Sequence, residues 1–240
     1  MEGVGMKIAI QREKSVETFE VSSNLTLLGA LYEIKENQDA SLTFSAGCRA
    51  SVCGACSVRV NEKEVLACAY KVQEGDVVEP LAYHPVLRDL KVDKSLTKRT
   101  LTQTQAWLHQ PTSTPLSPKD EALSQRQSDC ILCDSCYSAC PVLAVNPDFL
   151  GPFALTRAYR YSVDKREGNA KEMIDAIQEN GVWDCTLCGE CTAVCPKGID
   201  PKMDITMLRG TSLQMGYSDP SFANQSFGTP SFGFDPNGGF

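Results

Sequence analysis

The chain reads CILCDSCYSACP from Cys130 to Pro141 and CTLCGECTAVCP from Cys185 to Pro196. Both stretches have the form C-x2-C-x2-C-x3-C-P. Three closely spaced thiolates wrap one compact iron–sulfur cluster, and in this spacing the fourth cysteine of each run ligates the other run's cluster. The expected sets are therefore crossed. Cys130, Cys133, Cys136 and Cys195 hold one cubane, and Cys140, Cys185, Cys188 and Cys191 hold the other. The exchange draws the two segments together. Pro141 and Pro196 end the ligand loops and turn the chain away.

Upstream lies a second kind of motif, Cys48-x4-Cys53-x2-Cys56 followed by Cys68 in the run VLAC. This is the plant-type spacing for a [2Fe–2S] centre. Three ligands around a small cluster need a tightly curled backbone, and Gly47 and Gly54 supply the freedom. The curl also aims backbone N–H groups at the sulfurs, which favours the cluster's negative charge. Zinc is the rival for any four thiolates. Structural zinc sites use paired C-x2-C knuckles, whereas this motif is three plus one. Arg49 reads as a loop residue, with electrostatic tuning of the cluster as its alternative role.

The composition fits this chemistry. There are 12 Cys and only 2 His in 240 residues. Disulfide scaffolds of such cysteine content are short, secreted chains with a signal peptide. Here the run from Met1 to Val21 holds no cleavable apolar segment and reads as strand and turn. No stretch approaches the length of a membrane-spanning helix. A formal charge of −7 argues against a nucleic-acid role and is read as a solvated surface. With twelve thiolates completing three clusters, His84 and His109 are expected in packing or at the surface rather than as ligands.

The fold class expected is α+β: an N-terminal plant-type ferredoxin domain of the β-grasp kind, then an all-α bacterial-type two-cluster ferredoxin domain. Met6–Gln11 and Ser15–Val21 predict a hairpin. Leu27, Leu28, Leu31 and Ile34 recur at helical spacing, with Asn24 or Thr26 as cap. Val58–Val60 and Val77–Glu79 are further strands. PTSTPLSPKD, 111–120, carries three prolines and marks the boundary. The expected division is 1–108 for the [2Fe–2S] domain, 109–120 for a linker and 121–212 for the helical domain, with helices over Phe153–Val163 and Lys171–Glu179. Residues 213–240 are expected as an extended Phe- and Gly-rich tail, either disordered or a strap for a partner.

The order of one plant-type and two bacterial-type motifs resembles the iron–sulfur subunit of succinate dehydrogenase and fumarate reductase. The linking text resembles it too, over most of the chain: SAGCRASVCGACSV and VLAC around the first motif, VEPLAYHPVLRDLKVDKS leading out of it, then LGPFALTRAYRY and CPKGIDP. The resemblance implies an electron relay without a substrate site of its own. A partner flavoprotein carries FAD and interconverts succinate and fumarate, and the clusters pass its electrons singly. Similar twin-cluster modules serve heterodisulfide reductase and glycolate oxidase complexes, but those usually lack a plant-type domain with its Arg88-Asp89-Leu90 exit segment.

Two departures from the family pattern stand out. Most members lack a cysteine where this chain has Cys188 and carry a [3Fe–4S] third cluster. Here a fourth thiolate is available, so two [4Fe–4S] clusters are expected beside the [2Fe–2S] cluster. Quinone-reducing members also carry a tryptophan-rich run after the proline that follows Cys140, and often a His after the first cysteine of the last motif. Here those positions hold Val142-Leu143-Ala144-Val145 and Thr186. Both departures resemble the type E and methylmenaquinol:fumarate reductase branch. That branch implies a cysteine-rich, heterodisulfide reductase-like exit partner and a (methyl)menaquinone-linked chain. The expected location is peripheral, on the cytoplasmic face of the inner membrane. Co-export with a twin-arginine flavoprotein to the periplasm is the alternative.

Overall fold

The computed structural model describes residues 5–223. Strands β1 (Gly5–Gln11) and β2 (Val16–Ser22) form the predicted antiparallel hairpin, with Ile8 opposite Phe19 and Met6 opposite Val21, and Ile8, Ile10, Phe19 and Val21 are buried. Helix α1 (Leu27–Asn37) follows. Thr26 is its cap, the hydroxyl accepting from the Gly29 amide at 3.2 Å, while Asn24 takes a left-handed turn. Its apolar stripe of Leu27, Leu28, Leu31 and Ile34 is buried in the core of this unit.

Strands β3 (Ser57–Val60), β4 (Lys63–Leu66) and β5 (Val77–Glu79) complete a five-stranded sheet of order β2-β1-β5-β3-β4, β5 running parallel to β1 at its centre. This is the expected β-grasp arrangement. A small hairpin, β6 (Val86–Arg88) and β7 (Lys91–Val92), carries the chain out of it through a positive-φ turn at Asp89.

Arg12 ties the hairpin to that exit. Its Nε donates to Asp89 at 2.8 Å and its Nη1 to Asp39, while the Thr43 amide donates to the other Asp89 oxygen at 2.8 Å. The guanidinium, with help from Ser41, holds the Asp39 carboxyl well below the usual carboxylate range. Asp89 is buried, so removing its cation strands a charge in the interior. Arg12→Ala is expected to destabilise the full chain by about 3 kcal/mol, as for breaking a buried pair. Equilibrium urea unfolding checks this, with Arg12→Lys recovering only part because it cannot reach two carboxylates bidentately.

The second unit is helical. Helices α2 (Ser95–Gln103), α3 (Pro118–Ala122), α4 (Gln125–Ser128), α5 (Ser135–Ser138), α6 (Pro152–Ser162), α7 (Lys171–Ala176), α8 (Glu190–Ala193) and α9 (Pro201–Gln214) surround a core of Tyr137, Phe153, Leu155, Met173, Ile205 and Leu208. Gly151 opens α6 at φ 86, where a Cβ would stand 2.5 Å from the Tyr137 ring, so only glycine admits this close approach.

Three expected boundaries shift. Leu96 and Leu101 of α2 pack on the helical core, so the segment assigned to the first domain contributes its last helix to the second. Conversely, Ile131 and Cys133 pack on the first core. The proline-rich linker is not free of helix: Ser117 and Asp120 form a capping box with Pro118 at the first helical position, which suits proline because that N–H has no intrahelical partner. The remainder of the linker is held in place, since Gln110 and Thr112 exchange backbone hydrogen bonds with Arg166 and Gly168. Finally, α9 runs past Ser212, which is buried, and Tyr217 reaches back to Asp175. Helix α10 (Pro220–Ala223) adds one more turn. The expected extended tail therefore begins later than 213, and residues 224–240 lie outside the described part.

Asp204 on α9 is buried and accepts from Gln127 Nε2 at 2.7 Å and Thr156 Oγ1 at 2.9 Å, linking α9 to α4 and α6. Burial, opposed by those two donors, pushes its carboxyl up to about 6. A raised acid binds its proton more tightly in the folded state. The native state therefore loses stability as pH climbs from the unfolded value of about 4 towards 6. Asp204→Asn is expected to be more stable than the parent at pH 7, by about 2 kcal/mol. The gain should shrink between pH 6 and pH 5, as denaturant titrations at the two values will show.

Candidate iron–sulfur centres

The loop 45–56 lies between α1 and β3, and Cys68 arrives just after β4. The backbone curls through positive φ at Arg49, Ser51 and Gly54. As a result the Ala50 and Val52 amides each donate to Cys48 Sγ at 3.4 Å, and the Cys48 amide donates to Cys53 Sγ at 3.3 Å. The two amides draw the Cys48 thiol down to about 7. Burial works against Cys68, but the Ser51 hydroxyl, 3.5 Å from its sulfur, leaves it below the ordinary thiol value. Burial pushes Cys56 up to about 11. The Arg49 guanidinium lies over the Tyr32 ring at 4.8 Å, a cation–π contact.

The two later motifs fold alike. Leu132 and Leu187 have φ 51 and 56, and Asp134 and Gly189 have φ 66 and 93. Each loop therefore makes the same pair of left-handed turns before its short helix, α5 or α8. Cys130, Cys133, Cys136 and Cys195 line one partly open, mostly apolar pocket with Phe153, Ile199 and Pro201. Cys140 lies within Coulombic reach of Cys185 and Cys188, and Cys191 within reach of Cys185, Cys140 and Cys188. Cys195 thus shares a pocket with the cysteines of the earlier motif, Cys140 lies near those of the later one, and Cys136 also neighbours Cys191.

Burial raises all of these thiols, Cys130, Cys136 and Cys185 among them, with Cys140 pushed to about 11 and Cys191 to about 12. Mutual repulsion of neighbouring sulfurs adds to each shift. Ionising four such thiols together needs a strongly cationic guest, which iron supplies. The donors fit iron–sulfur clusters in number and softness, and the amide of Leu187 already points at Cys185 Sγ at 3.4 Å.

The first loop presses on the second. A Cβ on Gly54 would stand 2.7 Å from Cys133 Cβ and 2.8 Å from its Cα. Ser138 bridges the units, donating to Glu64 Oε1 at 2.7 Å while the Ala82 amide donates to it at 2.8 Å. Lys94 Nζ donates to the Cys133 carbonyl at 2.9 Å. Sequence reasoning missed Ser51, Lys94, Asp134 and Ser138, since polar residues in loops carry no periodic signal. One clue was available: Asp134 occupies the position that the matching motif fills with Gly189. As expected, both histidines are packing residues. His84 is buried against Tyr137, and His109 stacks on Trp107.

A plant-type sheet domain joined to a twin-loop helical domain, with cysteines gathered in both, defines an iron–sulfur electron-transfer protein. A 2Fe-2S iron-sulfur cluster binding domain matches residues 7–99 and a 4Fe-4S dicluster domain matches residues 126–199. The fumarate reductase iron-sulfur subunit of Haemophilus influenzae is 37% identical over 215 residues, covering 80% of this chain and 84% of that protein. The 8-methylmenaquinol:fumarate reductase iron-sulfur subunit of Wolinella succinogenes is 35% identical over 209 residues, covering 80% of this chain and 65% of that protein. In fold, a chain of the Mycobacterium smegmatis Sdh1 complex superposes with a TM-score of 0.80 over 90% of this chain and 98% of its own, at 24% identity. The chain belongs to the family of fumarate reductase iron–sulfur subunits. Among the described residues, no helix is long and apolar enough to cross a membrane.

Proposed function

We propose that the chain relays single electrons through three clusters between the FAD of a partner flavoprotein and an exit partner linked to (methyl)menaquinone. The [2Fe–2S] cluster is held by Cys48, Cys53, Cys56 and Cys68. One [4Fe–4S] cluster is held by Cys130, Cys133, Cys136 and Cys195, and the other by Cys140, Cys185, Cys188 and Cys191. The clusters supply one-electron acceptance, which divides a two-electron flavin reaction into single steps. The protein's own residues set spacing, burial and the hydrogen bonds to sulfur. The observation that carries this reading is the crossed grouping, Cys195 with the first helical motif and Cys140 with the second.

A cysteine-rich, heterodisulfide reductase-like subunit is the proposed exit partner. In place of a tryptophan-rich quinone wall, the turn after Cys140 offers the apolar Val145, 84% exposed, a suitable docking contact for protein. Membrane attachment, on the cytoplasmic face, comes through partners. The flavoprotein does the succinate–fumarate chemistry, and this chain has no substrate site. The test is anaerobic copurification of the native complex with iron and sulfide analysis. About ten irons per chain are expected, and succinate should reduce the clusters. A chain with zinc in place of iron, or clusters that succinate leaves oxidised in the intact complex, would count against it.

A further inference from the structure

Asp134 carries a cost that its counterpart avoids. At the left-handed position after the second cysteine, the last motif places Gly189, and Asp134 holds φ 66 at the same step. A non-glycine residue is disfavoured at such a φ. Its side chain is fully buried at the seam between the two units. Oδ2 accepts from Thr97 Oγ1 at 3.0 Å and lies 3.5 Å from Lys94 Nζ. His84 Nε2 lies 3.6 Å from the same oxygen, and Asp134 Oδ1 has no hydrogen-bond partner among the described residues. Lys94 in turn contacts the carbonyls of Cys133 at 2.9 Å and Gly54 at 3.5 Å, one in each cluster loop. A buried carboxylate next to a cluster ligand is expensive, and structure alone does not require it, since glycine would relieve the backbone.

We infer that Lys94 and Asp134 are positioning residues for electron transfer, an ion pair that clamps the first cluster loop to the second and sets the potential of the cluster held by Cys130, Cys133, Cys136 and Cys195. The inference rests on that ligand assignment. The sign follows from Coulomb's law in a medium of low polarity. An added electron is favoured by the ammonium and opposed by the carboxylate, so the two residues pull the potential in opposite directions. Their balance fixes how readily this cluster accepts an electron from the first.

The test is an EPR-monitored redox titration of the full chain, loaded anaerobically, with the cluster in question assigned by the signal that Cys130→Ser removes. Lys94→Met is expected to shift its midpoint potential downward, and Asp134→Asn and Asp134→Gly to shift it upward. Lys94→Arg should stay near the parent, and the other two clusters should move less. A merely structural pair would instead shift both variants the same way or leave the potential unmoved, and either result overturns the inference while the ligand assignment stands. If the parent chain loads no cluster that Cys130→Ser removes, the ligand assignment falls and the inference with it. Should Lys94→Met lose the cluster altogether, the Asp134 variants decide alone: an upward shift supports the inference and an unchanged potential overturns it.

Discussion

Replacing Cys188 by serine is expected to remove about one iron per chain and to switch on an EPR signal in the oxidised protein. The parent chain, kept from air, should be silent in that state, because an oxidised four-iron cluster is diamagnetic and an oxidised three-iron cluster is not. Cys188 is exposed, whereas Cys140 and Cys191 of the same group are buried. On the proposed ligand set, the iron that Cys188 would hold lies on the exposed side, where oxidants reach it first. A parent protein handled in air should drift towards the spectrum of the variant, and added ferrous iron with thiol should reverse the drift. The variant should not recover. A strong oxidised-state signal from the air-protected parent, with no change on mutation, would mean that Cys188 is a bystander beside a three-iron cluster.

The second large effect concerns Gly54. Gly54→Ala adds a methyl that must share space with the Cβ and Cα of Cys133, at 2.7 and 2.8 Å, while forcing a side chain onto φ 67. Neither neighbour is a flexible side-chain end, so backbone has to move. The combined strain and clash should destabilise the chain by about 3 kcal/mol. Separating the loops also lengthens the path between the first two clusters, so succinate-driven reduction of the later clusters should slow more than reduction of the first. Gly75→Ala provides the control. Its φ is 80 but nothing lies within 4 Å of the added atom, so it should cost only the backbone term of about 1 kcal/mol. Urea unfolding of the two variants, with freeze-quench EPR of cluster reduction, separates strain from contact. Equal losses in both variants would show that the Cys133 contact contributes nothing.

Much of this molecule is legible in the sequence because its signals are local. The alternation around Ile8 and Phe19, the leucine spacing of α1 and the fixed steps between cysteines each belong to one short segment. The crossed pairing is an expectation that the spacing itself carries. What was not legible lies between segments. Leu96 and Leu101 read as residues of the first domain, and only packing shows that they serve the core of the second. The SPKD capping box was masked by the prolines around it, although proline at the first helical position starts a helix as readily as it ends one. Lys94 and Asp134 lie forty residues apart, by rough count, and no pattern along the chain links two polar residues that meet across a domain seam.

The crossed grouping of the later cysteines also bears on biosynthesis. With the proposed ligand sets, a chain emerging from the ribosome can finish neither cubane until its final motif is made. One set closes at Cys191 and the other at Cys195, separated only by Thr192–Val194. The polypeptide between the motifs, with α6 and α7, is made before any complete cubane site exists. Loading is thus deferred to the end of translation and then falls due at two sites almost at once. A product terminated before the last motif would carry, on the proposed assignment, the first cluster alone.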